Sequence, residues 1–227
     1  MFMIELQHPY ISVKYPGMAS YGGGQQFSAD PMLRRCGCGI IAATDLLLYL
    51  SCWHAFGAVD YFAGLLSEEV IPSPSYHACI QRMNRKYFPM IPYGGINGLM
   101  LMAGVQRFFH DHGMPYNARW CFLSDKLWKR MENMLRQDIP VILSVGPNFP
   151  VIWGDERVSL YRKTEDERYL PGPGAKSHFV TVTGMDAGWL RVSSWGRIYY
   201  LNRKEFEAYT HQHSLRFVSN ILLVERK

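Results

Sequence analysis

Between residues 38 and 53 the chain reads CGIIAATDLLLYLSCW, a run with a single charged side chain, Asp45. The spacing predicts a helix: Ile41, Asp45 and Leu48 fall on one side, and Ile40, Leu46, Leu47 and Leu50 surround them. A helix that is apolar on nearly every face has no side to offer water, so it must run through the middle of a domain. The apolar stretch from Gly39 to Trp53, interrupted by Asp45, is too short to cross a bilayer. Whatever fold forms must be assembled around this helix.

The segments that could cover it change character along the chain. Up to about Gly24 the sequence is rich in Tyr, Gly and Pro and reads as loop or short strand. Helices are predicted over Ala58 to Glu68, Ser75 to Tyr87 and Asn97 to His112. The last carries Leu101, Val105, Phe108 and His112 on one stripe and Gly113 as its stop. A further helix, Ser124 to Gln137, has Ser124 as N-cap, Asp125 in the first turn and a buried face of Leu127, Met131, Met134 and Leu135. Pro140 opens a short strand, Val141 to Val145. Residues 146–176, with four prolines and the charged run Lys163 to Arg168, read as a long loop inserted between core elements. From His178 the pattern is β: HFVTVTGMD, WLRVSSWG and RIYYLN, then a short helix, Arg203 to Tyr209, and a last strand, Leu215 to Val224. Helices first and an antiparallel sheet last make an α+β fold. The boundaries expected are one domain over residues 1–227, with a helical half at about 25–138 and a sheet half at about 140–227.

At 227 residues the chain can bury a sizeable core without metal or disulfide staples. Its formal charge of +5 is mild and scattered, without the basic stripe and interleaved aromatics of a nucleic-acid binder. Five cysteines, an odd number spread thinly, argue for a reducing compartment over a disulfide scaffold. The N-terminus lacks the basic start and apolar run of a signal peptide. The expectation is a soluble cytoplasmic protein that meets neither membrane nor nucleic acid.

Chemistry concentrates where the apolar helix begins. A cysteine at a helix N-terminus faces unpaired N–H groups and the positive end of the dipole, both of which favour thiolate. Cys38 stands there, and Gly39 after it would let a substrate backbone approach. His178 opens the first strand of the sheet half and can serve as base. Gln25 and Gln26, ahead of the cysteine, can each supply an oxyanion donor. The run Gly22-Gly23-Gly24 lacks the Lys-Ser/Thr of a phosphate loop and reads as a flexible turn that lets Gln25 enter the site. Cys36, in a second Cys-Gly dipeptide, competes with Cys38, but Gly37 and Gly39 would interrupt its helix. Arg34 and Arg35 either stabilise a thiolate or are solvated. The pairs Cys36-x-Cys38, His110-x-His112 and His211-x-His213 lack zinc-ligand spacing, so neither metal nor cofactor is expected.

The segments CGIIAATDLLLYL and HFVTVTGMDAGWLRVSSWG resemble the cysteine helix and histidine strand of the papain-like bacterial peptidases related to the double-glycine leader peptidases. SSWG is similar to the Asn-Ser-Trp-Gly of papain-type enzymes. The matched segments, Tyr21 to Leu50 and Ser177 to Tyr209, follow the family's chain order of Gln, Cys, His, then Asn or Asp. The resemblance implies a papain-like fold with Cys38 as nucleophile, His178 as base, Gln25 as oxyanion donor and Trp195 shielding the base from water. Two departures stand out. Gln25 precedes Cys38 by thirteen residues, a longer gap than the family's, and Ser193 occupies the Asn or Asp position that orients the histidine. The implied activity is hydrolysis of a peptide or isopeptide bond through an acyl-thioenzyme, with a peptide or protein as substrate. Acyl transfer by the same dyad, a binding protein that keeps the fold, and an interaction protein with an accidental match remain alternatives.

Overall fold

The structure, a computed structural model, describes residues 4–54, 59–66, 69–122, 126–151 and 153–227. The N-terminal segment forms three short strands, β1 (Ile4–Glu5), β2 (Val13–Tyr15) and β3 (Met18–Ala19), followed by a 3₁₀ turn, Gln25–Phe27. Helix α1 (Pro31–Cys36), not anticipated from the sequence, starts where Asp30 accepts from the backbone N–H groups of Met32 and Leu33 and Pro31 takes the first helical position. Gly37 closes α1 and caps α2 (Cys38–Trp53). A Cβ on Gly37 would stand 2.4 Å from the Leu33 carbonyl oxygen, so only glycine allows two helices to meet this closely.

The central helix is as buried as its composition demands: Leu46, Leu47, Leu48, Tyr49 and Leu50 are fully inside. Each such leucine contributes roughly 1.5–3 kcal/mol of transfer free energy. Its two small hydroxyls are satisfied locally, Thr44 and Ser51 donating to the carbonyls of Ile40 and Leu47. Around it lie α3 (Val59–Leu66), α4 (Ser73–Lys86) and α5 (Gly98–Asp111), with β4 (Ile71–Pro72) beside β2. Asn97 caps α5 and Gly113, at φ 62°, ends it. The predicted cap Ser124 and Asp125 lie outside the described residues; the helix there, α6, spans Leu127–Arg136.

The main sheet is antiparallel and centres on β9 (His178–Met185), all of whose residues are buried. On one side it pairs with β10 (Trp189–Ser194), which turns into β11 (Arg197–Asn202). On the other, β6 (Val141–Val145) and β1 share its length. The sheet supports an α+β class, with α2 packed on β9.

Two expectations fail. Residues 146–176 are not simply a loop: β7 (Val158–Lys163) and β8 (Tyr169–Ala175) form a hairpin, and β7 pairs with β11, widening the sheet. Pro171 and Pro173 fit because β8 is an edge strand, where no ladder donor is missed, and the charged run makes the exposed hairpin tip. The last strand, β12 (Leu222–Arg226), is shorter than predicted. It leaves the main sheet for β5 (Tyr116–Trp120), an alternating strand not anticipated, while α7 runs on from Arg203 to His213. Among the described residues no helix is long and apolar enough to cross a membrane.

Candidate active site

Cys38 is the first residue of α2, half-buried, with its sulfur facing the backbone N–H of Phe179, the residue after His178. Burial pushes the thiol pKa above its ordinary value, and the N–H groups of Phe179, Gly39 and Cys38 pull it down without compensating. The sequence argument expected the helix end to favour thiolate; desolvation wins instead. Gly39 has a packing reason for its missing side chain: a Cβ there would lie 2.6 Å from Ile96 and 3.0 Å from Phe179. The room left by the missing side chain is taken by Ile96 and Phe179.

His178 starts β9 directly after Ser177, a left-handed residue at φ 48°. The ring is 7% exposed, and burial lowers its pKa to about 4, so the imidazole is neutral at neutral pH. Its Nε2 is 2.8 Å from the hydroxyl of Ser194. Here the sequence alignment is off by one. Ser193 pairs with Thr181 across β9 and β10, so its side chain takes the face opposite His178, and it donates to the Tyr21 carbonyl at 2.7 Å. Ser194 falls on the histidine's face, diagonal to it across the ladder.

Trp195 and Gly196 form the two-residue turn between β10 and β11, at φ 48° and 68°. Both residues left-handed is the type I′ geometry that suits tight hairpins. Glycine accepts it freely, whereas tryptophan is held there at a cost of roughly 1–2 kcal/mol. The result is an indole stacked on the His178 ring, centroids 4.4 Å apart and planes 15° apart.

The third wall is the Gly22 to Gln25 segment. The Gly23 N–H donates to Asp45 at 2.8 Å, the Gly24 N–H to the Tyr15 hydroxyl at 3.1 Å, and Gly196 and Gly23 are joined through the backbone. A Cβ on Gly22 would meet Ser193 at 2.3 Å, and one on Gly23 would meet Tyr76 at 2.0 Å. The triple glycine is therefore a clamped, close-packed strap, not the flexible turn expected. Gln25 reaches the cavity wall, but its amide donates to the carbonyls of Arg34 and Arg35 at 3.0 and 3.3 Å. Gln26 donates to the Trp195 carbonyl at 2.8 Å. The long gap between Gln25 and Cys38 is filled by α1.

Cys38, His178, Gln25, Ser193, Ser194 and Trp195 all line one small cavity, and so does Asp45, which the sequence reading used only as an interruption of the helix. Burial raises Asp45 to about 7, against hydrogen bonds from Tyr76 (2.6 Å) and Gly23 that favour its charged form. A lone carboxylate in an otherwise apolar helix was the signal for it. Ser194 carried no such signal. The cavity holds about 20 Å³, room for about one water. Two larger cavities, about 940 and 580 Å³, contain neither Cys38 nor His178. Cys36 ends α1; Asp186 accepts from Gly188 and Trp189 in the β9–β10 turn.

No family model and no curated protein matches the chain. Among solved structures, a crystal structure from Bacillus anthracis, provisionally assigned as a C39-like peptidase, is similar over 95% of this chain and 98% of its own. The identity is 12% and the TM-score 0.47.

Proposed function

We propose that the chain is a papain-like cysteine hydrolase that cleaves a peptide or isopeptide bond with Cys38 and His178. The observation that carries this reading is the histidine's double engagement: Nε2 held by Ser194, ring covered by Trp195, and the cysteine of a helix N-terminus in the same small cavity. Burial keeps thiol and imidazole neutral at rest. His178 then takes the thiol proton as sulfur attacks the carbonyl carbon, and returns it to the departing amine. Water, activated by His178, releases the acyl group from Cys38. The oxyanion is held by the Cys38 backbone N–H and by Gln25 once its amide leaves the Arg34 and Arg35 carbonyls.

A second reading, a non-catalytic binding protein of the same fold, is favoured by the closed cavity and the raised thiol pKa. The two are separated by labelling the native protein with an electrophilic amide-mimic probe and mapping the site. A hydrolase labels selectively at Cys38, and the labelling is lost in Cys38→Ala and slowed in His178→Ala. Its rate climbs towards alkaline pH, because a thiol with a raised pKa has little thiolate near neutrality. Cys38 labelling no faster than Cys36 or Cys52 would remove the catalytic reading in favour of binding.

A further inference from the structure

Beside the catalytic cavity, and sharing Trp195 with it, lies an open groove of about 520 Å³ on the face formed by β7, β8 and β11. Its register follows from the sheet. Tyr200 of β11 stands opposite Tyr161 of β7, so Tyr199 stands opposite Arg162, and alternation puts Arg197 on the same face as Tyr199. The Tyr199 ring meets Trp195 edge-on at 6.0 Å, and Trp195 in turn covers His178. Gln26 closes the rim against the Trp195 carbonyl.

The two arginines in this groove stand without a carboxylate partner among neighbours that have one. Their neighbours are neutralised: Arg157 by Asp155, Lys163 by Glu167, Arg168 by Asp166, Arg191 by Glu5. Among the described residues neither Arg162 nor Arg197 has a carboxylate within ion-pair distance, and both are exposed. Guanidinium groups are fork-shaped donors suited to carboxylates, and two of them beside an aromatic ring make a site for an anionic group.

We propose that this groove binds a carboxylate of the substrate on the leaving-amine side of the scissile bond. The proposal rests on the hydrolase reading for its direction. The acyl half stays bonded to Cys38, whereas the amine half must leave past His178, and the groove begins on the far side of the indole that covers His178. It lies two ring contacts from that imidazole, a span that two or three residues of extended chain cover at about 3.3 Å each. The carboxylate is an Asp or Glu side chain at that distance or the free C-terminus of a short product.

Two measurements test this. A synthetic peptide library, half with free and half with amidated C-termini, is digested and its cut sites sequenced by mass spectrometry. The expected result is enrichment of Asp and Glu two to three residues beyond the cut, lost in Arg162→Gln/Arg197→Gln and partly kept in the double Lys variant. Enrichment only of free C-termini at that distance identifies the terminus as the source. Separately, acetyl-triglutamate amide and acetyl-triglutamine amide are titrated against the native protein, followed by tryptophan fluorescence. The glutamate form should bind roughly three- to tenfold tighter at low salt, with the difference shrinking as salt rises. Equal affinities, together with no acidic enrichment at any cut site, would overturn the proposal while leaving Cys38 labelling and the hydrolase reading intact. Conversely, a glutamate preference that depends on the arginines but no labelling of Cys38 would uphold the groove and overturn the hydrolase reading.

Discussion

At the scale of single residues, the two serines before Trp195 have opposite duties although they are adjacent. Ser194 faces the imidazole, and Ser193 ties β10 to the Tyr21 carbonyl of the glycine strap. Ser194→Ala should therefore slow acylation of Cys38 roughly tenfold, the effect of losing one orienting hydrogen bond of about 1–2 kcal/mol, with little change in melting temperature. Ser193→Ala should do the reverse. It strands a carbonyl and costs roughly 1–2 kcal/mol of stability, some 2–8 °C for a chain of this size. Labelling rates and thermal melts on both variants decide it; a rate effect confined to Ser193→Ala would restore the alignment expected from SSWG. That alignment named the cysteine, the histidine and the tryptophan but not Ser194, because side-chain parity depends on strand register. A register shift between Arg191 and Val192 lies in the pairing of β10 with β9, and nothing in the local sequence announces it.

At the scale of elements, pressing α2 against β9 buries two titratable groups whose effects on stability oppose each other. His178 is lowered from 6.5 to about 4, so as pH falls through this window the unfolded chain takes up a proton that the folded one refuses, and stability drops. Asp45 is raised from 3.8 to about 7, so as pH rises through that window the unfolded chain releases a proton that the folded one keeps, and stability again drops. Between about pH 4.5 and 6.5 the slopes, each about 1.4 kcal/mol per unit, largely cancel. Relative to the native protein, Asp45→Asn should gain stability with rising pH across this range, and His178→Gln should lose it. Melting temperatures measured over pH 4.5–6.5 test the pair; difference curves of the same sign would show that burial is not what governs both groups. The helix itself was legible from its leucines, and Asp45 was visible as its one charge. Its proton affinity was not, since that depends on Tyr76, Gly23 and the sheet that encloses it.

At the scale of the whole molecule, Asp138 joins three distant parts of the chain. Its carboxylate accepts from the Gln7 N–H at 2.7 Å and the Tyr49 hydroxyl at 2.6 Å, and lies 2.6 Å from His8 Nδ1, linking the N-terminal segment, α2 and the turn before β6. Burial raises its pKa, but the bonds from Tyr49, His8 and Gln7 outweigh this and hold it below the usual carboxylate range. It also sits at φ 59°, a conformation that Asp tolerates better than Ala. Asp138→Ala should cost about 3 kcal/mol by leaving several donors unpaired, and Asp138→Asn distinctly less. Denaturant unfolding measures both; equal losses would mean that the charge of the carboxylate, which both variants lack, and not the left-handed backbone, carries the effect.

The amino-acid order alone determined that a buried helix starts at Cys38 and that helices surround it and strands follow, and it singled out Cys38, Gln25, His178 and Trp195 as candidates. These are consequences of periodicity and of a few residue types in a fixed order, which act over short distances along the chain. Only the tertiary structure decided that residues 158–175 extend the sheet, that β12 pairs with β5, that Ser194 supplies the hydroxyl, and that the thiol is raised and not lowered. Each depends on which distant segments meet and how completely they exclude water, and strand pairing and desolvation are properties of the packed molecule that no local pattern encodes.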